Sequence, residues 1–350
     1  MKSMIKTNNN PNTTIRKTLM TARLFDGFWE RWIAHGVEKE AVFEVRNSLQ
    51  DVENWVNGFL DYAFTHYEAA EKASNAQAEY HYRLSGLYYN LIHWIYPQNS
   101  SRKQHWYKKS KELFILADQL SSTKCSLETI CIDEHRCAGR VRTPKQPKGC
   151  IIILNPIDST KEELFSYEEH FIALGFATVS FDGPGQGETY TLNGLKGTTK
   201  RWDVFLNELI SFSKKTFHDL PIYLFGTSSA GTWSIYGSAN RYIDKAVAVS
   251  PAFGNGVSLP EYFTERLNYV IEDNETILPR LKDVSDYKGV LLFHGNKDVM
   301  VSDGEVHQLH STLPNPKKIV EYSQEGHCCN HKLVEVRTQS TQWFLEDVQQ

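Results

Sequence analysis

The sequence predicts an α/β protein, a mostly parallel wound sheet flanked by helices and preceded by an all-helical cap domain. Beyond residue 125 short apolar runs alternate with helical stretches. Before it, aromatic residues recur at helical intervals, and around Ser228 small residues crowd a sharp strand-to-helix turn. Strands that alternate with helices imply a parallel sheet covered on both faces, with ligands bound at the carboxyl ends of its strands. The expected division is a flexible tail over residues 1–20, a helical cap over 21–124 and a sheet domain over 125–350.

In the first third, Trp55, Phe59, Tyr62, Ala63 and His66 fall at helical spacing. Tyr80, Leu84, Leu87, Tyr88, Leu91 and Ile95 repeat the pattern, as do Trp106, Leu113, Leu116 and Leu120. Pro97 and the Asn99-Ser100-Ser101 cluster break it as a connection. Three or more long helices follow from this, with a further helix over residues 24–35. Most of these aromatics read as core. Residues 1–17 are polar and Asn-rich and lack the apolar centre of a signal peptide, so a loose tail and a cytoplasmic protein are expected. No later stretch has the uninterrupted apolar length of a membrane span.

Charge excludes little but points away from polyanions. With 38 Lys+Arg against 42 Asp+Glu the net charge is −4, which gives no electrostatic reason to expect nucleic acid or an anionic membrane as partner. The six cysteines, Cys125, Cys131, Cys137, Cys150, Cys328 and Cys329, form no C-x-x-C pair. A structural zinc site is not expected from such spacing, and free thiols in a reducing compartment are. No metal or cofactor is expected, and a monomer or homodimer acting on a small molecule is.

The sheet is expected to open with a hairpin over residues 127–132 and 139–142. Strands then follow over 151–154, 177–181, 222–225, 246–249, 290–293 and 319–322, and the long insertion over 250–289 has room for two short helices. The turn after residues 222–225 runs Gly226, Thr227, Ser228, Ser229, Ala230, Gly231, with a helix expected over 229–240. A turn this tight brings the backbone close to itself at its small residues and lifts the Ser228 hydroxyl to the top of the sheet, the arrangement of a nucleophile elbow. Ala230 stands where the G-x-S-x-G pattern has its second glycine.

A serine nucleophile needs a base, and the base needs an orienting acid. Downstream, Asp298 lies on the loop after the 290–293 strand, and Gly326-His327 on the loop after the 317–322 strand, in the chain order Ser, Asp, His. Asp298 is the expected acid and His327 the expected base. Asp303 and Asp286 compete for the first role, and His331, His307, His310 and His294 for the second. The oxyanion that forms on attack needs donors: the Ser229 amide at a helix N-terminus, and the Ile157 amide, since Pro156 has no N–H.

The segments Asp158-Ser159-Thr160-Lys161-Glu162-Glu163 and Phe181-Asp182-Gly183-Pro184-Gly185-Gln186-Gly187-Glu188 resemble those of α/β-hydrolases that include FrsA-like esterases, dihydroxypseudooxynicotine hydrolase and polyketide-shortening hydrolases. The resemblance runs from about Phe28 to the C-terminus and implies the α/β-hydrolase fold, a Ser228-Asp298-His327 triad and no metal. It also implies hydrolysis of an ester or of a carbon–carbon bond beside a carbonyl. Glycines usual in that family are replaced by Asn155 and Pro156 in the oxyanion loop and by Ala230 in the elbow. By the same resemblance the helical domain is the roof, with Tyr82, Tyr88 and Tyr89 as pocket walls. Carbon–carbon cleavage would need a further acid to protonate the leaving carbanion, and Glu261 on the long insertion is a candidate for it. Thioester hydrolysis, acyl transfer or cyclisation, and a non-catalytic binding role on the same fold are the alternatives.

Overall fold

A computed structural model describes residues 10–253, 259–281 and 286–346. Six helices come first: α1 (Pro11–Leu24), α2 (Gly27–Ala34), α3 (Lys39–Ser48), α4 (Val52–Lys72), α5 (Asn75–Ile95) and α6 (Ser101–Leu120). Residues 11–20, expected to belong to a flexible tail, are helical instead, and the rest of that expected tail, residues 1–9, lies outside the described residues. Asn10 caps α1 through its side chain, Pro11 occupies the first turn, where a missing N–H costs nothing, and Thr14, Ile15, Thr18, Leu19 and Ala22 are buried. Their spacing of three and four residues is a helical face hidden in a polar stretch.

The cap has its own core. Trp55 of α4 stacks on Trp29 of α2 with ring centroids 5.3 Å apart, and Phe59, Tyr88 and Leu91 pack beside them without exposure. Aromatic burial of this density is the main reason these helices hold together, because each large ring removes 150–250 Å² from water.

The hairpin strands β1 (Lys124–Ile132) and β2 (His135–Thr143) lead into β3 (Cys150–Leu154), α7 (Phe165–Ala173), β4 (Ala177–Phe181), α8 (Gly187–Thr191) and α9 (Thr199–Thr216). Then come β5 (Ile222–Thr227), α10 (Ser229–Gly237), β6 (Lys245–Val249), α11 (Glu261–Val270), β7 (Gly289–Gly295), α12 (Asp303–Thr312), β8 (Lys317–Tyr322) and α13 (Leu333–Leu345). The eight strands form one sheet in the order β1-β2-β4-β3-β5-β6-β7-β8. Pairings from β4 to β8 are parallel, while β2 runs antiparallel to both neighbours.

Alternation explains why the inner strands are apolar throughout. Ile152, Leu154 and Leu224 face one hydrophobic layer, whereas Ile151, Ile153 and Phe225 face the other. With helices on both faces no position of β3, β5, β6 or β7 meets solvent, and every one is buried. The parallel strands end together at one edge, which carries the loops after β3, β5, β7 and β8.

Candidate active site

Ser228 sits between β5 and α10 with φ 54° and ψ −124°, a conformation that costs a non-glycine residue free energy and is held by its surroundings. Its N–H donates to the Val249 carbonyl at 2.8 Å, and its carbonyl accepts from Ala252 N–H at 3.1 Å. Gly226 makes the turn possible. A Cβ there would lie 2.2 Å from the Ala230 carbonyl oxygen and 2.4 Å from Ser234 Oγ. Ala230 itself is buried without strain at the start of α10, so the elbow tolerates its methyl group.

The three residues expected to act together meet. His327 Nε2 lies 2.9 Å from Ser228 Oγ, and His327 Nδ1 lies 2.7 Å from Asp298 Oδ2. The Asp298 side chain is fully buried. Burial alone would raise its pKa, but the bond to His327 and the N–H groups of Met300 and Val301, at 2.8 and 3.1 Å, outweigh this and hold it below the usual carboxylate range. Burial likewise works against a charged His327, yet the adjacent Cys328 side chain and the Asp298 carboxylate prevail and lift the imidazole to about 10.

The competing residues have other partners. Asp303 pairs with His294 at 2.7 Å, His307 with Glu321 at 2.9 Å, and His331 with Glu325 at 3.5 Å. Asp286 is exposed, and no bond links His310 to Ser228.

Around Ser228 opens a cavity of about 2060 Å³. Phe28, Arg31 and Trp32 of α2 and His35 just after it roof it together with Trp94 of α5, and Tyr262, Phe263 and Leu267 of α11 close another side. Tyr82, Tyr88 and Tyr89 do not reach it. The Tyr82 hydroxyl bonds Glu71, the Tyr88 hydroxyl bonds Glu38 at 2.8 Å, and the Tyr89 ring stacks on Trp106, all inside the cap. Those tyrosines lie on faces of α5 that pack against α4 and α6, while Asn90 and His93 bond across to Thr160 and Thr191 of the sheet domain and Trp94 lines the cavity. Glu261 is also misplaced as a candidate acid: its side chain is 78% exposed and pairs with Lys17 at 2.6 Å. The insertion contributes more roof than its length suggests, through one helix among the described residues.

The loop after β3 is anchored from above. Asp158 has φ 66°, and its carboxylate accepts from Trp94 Nε1 and Arg266 Nε, each at 2.9 Å, while its carbonyl accepts from Arg31 Nη2 at 3.1 Å. Arg31 is itself held by the buried Glu163. The second of the two family-like segments locks the first from below. Asp182 accepts from the Lys161 amide at 2.7 Å and from its ammonium at 2.9 Å, and Gln186 Nε2 donates to the Asn155 and Pro156 carbonyls. Gly187 is needed because a Cβ there would fall 2.2 Å from Asp182 Oδ2. The sequence marks these segments but not their partners: Arg31, Trp94 and Arg266 come from three helices distant along the chain, and the dense Phe28-Trp29-x-x-Trp32 run was the available hint.

The second expected oxyanion donor departs from expectation. The Ile157 N–H is already engaged, donating to Ser229 Oγ at 3.0 Å.

A sharp strand-to-helix turn carrying Ser228 at the carboxyl edge of this sheet, with a helical domain above, gives the protein the α/β-hydrolase fold. No family model matches the chain. In sequence it is similar to 2,6-dihydropseudooxynicotine hydrolase of Paenarthrobacter nicotinovorans, 24% identical over 220 residues that cover 60% of this chain and 58% of that protein. The matched part is thus under two thirds of that relative's length. The crystal structure of 2,6-dihydroxy-pseudo-oxynicotine hydrolase superimposes with a TM-score of 0.74 at 20% identity, covering 90% of this chain and 94% of the other. The structure of wild-type AbyA5 gives 0.70 at 11% identity, with 88% and 91% covered. Cap and sheet domain are both included in these superpositions, and among the described residues no helix is long and apolar enough to cross a membrane.

Proposed function

We propose that the protein is a serine hydrolase that cleaves an ester, or a carbon–carbon bond beside a carbonyl, in a small acyl or polyketide-like substrate. The single observation that supports this most is the continuous hydrogen-bonded chain from Ser228 through His327 to Asp298 at the floor of a large cavity. In its neutral form His327 takes the Ser228 proton as the hydroxyl oxygen attacks the carbonyl carbon. Asp298 keeps the ring's Nδ1 protonated and steadies the imidazolium. Collapse of the tetrahedral intermediate expels the leaving group, which takes that proton, and water activated by the same histidine then releases the acyl group.

The similarity to a hydrolase in sequence, and to a solved hydrolase structure in both cap and sheet, supports the class. The aromatic cavity walls support a sizeable apolar substrate. Unpaired cysteines agree with a reducing, cytoplasmic setting. A fluorophosphonate probe, with a panel of p-nitrophenyl esters, thioesters and β-diketones and product masses for each, tests the reading. Labelling of the native chain but not of Ser228→Ala is expected, together with turnover of at least one panel class. Labelling at another residue, or equal labelling of both proteins, would sink it.

A further inference from the structure

The oxyanion needs hydrogen-bond donors already in place, and the amide expected to supply one is occupied. Ile157 N–H is spent on Ser229 Oγ, and it has little freedom to turn away. On one side the Pro156 carbonyl accepts from Gln186 Nε2 at 2.7 Å. On the other, Asp158 is fixed by Trp94, Arg266 and Arg31. Re-aiming the amide between them would break buried bonds to two charged groups.

The same contact leaves something behind. A serine hydroxyl carries one proton to donate and two lone pairs to accept with. Ser229 Oγ accepts from Ile157 N–H, and among the described residues its own O–H has no acceptor. Ser229 is only 4% exposed, and with Ser228 and Ile157 it lines the cavity. The Ile157 bond pins the oxygen while leaving the hydrogen free to turn about the Cβ–Oγ bond. A buried donor with no partner, beside a site where negative charge would develop, is the kind of preorganised group that stabilises a transition state.

We propose that the Ser229 hydroxyl is a catalytic residue, donating directly to the oxyanion together with the Ser229 backbone N–H, while Ile157 N–H acts behind it as its positioning group. Both donors then come from one residue at the positive end of α10. No proton is transferred: the hydroxyl donates a hydrogen bond to the oxyanion, and Ile157 N–H, by donating to Oγ, makes that O–H a stronger donor. This inference rests on Ser228 being the nucleophile.

The test compares the wild type with Ser229→Ala and Ser229→Cys, by turnover of p-nitrophenyl butyrate and by the second-order rate of fluorophosphonate labelling at Ser228. Loss of one oxyanion donor costs on the order of 10² to 10³ in kcat. Ser229→Ala should lose that much with KM within a few-fold, and a trifluoromethyl ketone that mimics the tetrahedral adduct should weaken by a similar factor. Ser229→Cys, nearly the same size but a weak donor, should fall between. If Ser229→Ala does not fold, Ser229→Cys alone decides. A wild-type or higher kcat in whichever variant folds would return the role to the freed Ile157 amide and overturn the proposal. So would a loss confined to KM, or one that leaves the ketone's affinity unchanged. A wild-type chain that is neither labelled nor active would instead defeat the serine-hydrolase reading itself, which separates the two failures.

Discussion

The floor and the roof of the cavity are built by different means. The floor is set by backbone: a serine at positive φ, a glycine with no room for a Cβ, and amides and carbonyls fixed by the ends of β3, β5, β6 and β7. The roof is set by side chains from helices far apart in sequence, Trp32 and Arg31 from α2, Trp94 from α5, and Tyr262 and Phe263 from α11. Geometry dictated by backbone sterics admits few residue types at each position. Contacts made by large side chains can be exchanged for others of similar volume. Changes to the floor should therefore abolish the chemistry, and changes to the roof should redirect it.

The largest expected effect is on the floor. Asp298→Asn and His327→Ala should each lower turnover by roughly 10³ to 10⁴ while the protein stays folded by circular dichroism. Activity near the wild-type level in either variant would mean that the 2.7 and 2.9 Å contacts are structural only.

Next comes the joint between the two regions. Asp158 neutralises Arg266, which has no exposed surface, and bonds Trp94. Removing one partner of a buried pair costs about 3–5 kcal/mol because the other is left charged and unsolvated. Asp158→Ala should lose roughly that much in urea unfolding and lose activity with it. An effect under about 1 kcal/mol would show that the cap docks without this clamp.

A smaller effect is expected in the roof. Phe25, which lines the cavity just after α1, and Phe263 of α11 should each, when changed to Ala, reorder the preference among substrates by about ten-fold without loss of fold. Tyr88→Ala, inside the cap, should lower stability by about 3–5 kcal/mol and leave the order unchanged. The opposite pattern, with Tyr88 controlling preference, would return α5's tyrosines to the pocket.

The same contrast explains what could be read from the chain. The strands from β3 to β8 and the meeting of Ser228, Asp298 and His327 follow from local signals: a buried apolar run, a tight turn, a residue just past a strand's end. Each is fixed within a few residues. The pocket walls are not, because a helical face tells only that it is buried and not against what. Tyr88 and Trp94 lie on one helix, six residues apart, with equal claim by spacing, and only the docking of the cap on the sheet separates a core residue from a cavity residue. α1 is hard to see in the sequence for a related reason, since its buried face mixes Thr14 and Thr18 with Ile15, Leu19 and Ala22 in an otherwise polar stretch. The bond from Ile157 to Ser229 lay beyond reach as well: it joins residues 72 apart through a side chain that any reading of the elbow treats as neutral.

The subtlest expected effect concerns pH. Although burial penalises its charge, His327 is raised from the ordinary 6.5 to about 10 by Cys328 and by Asp298. A raised base is protonated at neutral pH and acts only in the fraction that has lost its proton. The rate of Ser228 acylation should thus climb with pH above 7 and level off near 10, rather than saturate near 6.5. Cys328→Ala removes one of the two raising neighbours, so its acylation limb should move to lower pH, and its activity at pH 7 should exceed the wild type's if Cys328 has no other role. Stability carries the opposite sign. Because the folded-state pKa is raised, His327 stabilises the fold fully below about 6.5, and that contribution is lost as pH rises through about 10. The variant, with a smaller shift, should lose less over that interval. Acylation rates from pH 5 to 11, beside urea unfolding at pH 6 and pH 10.5, check both signs. Superimposable limbs for wild type and Cys328→Ala would show that Asp298 alone tunes the base, and that the thiol next to His327 packs the floor of the site without governing its protonation.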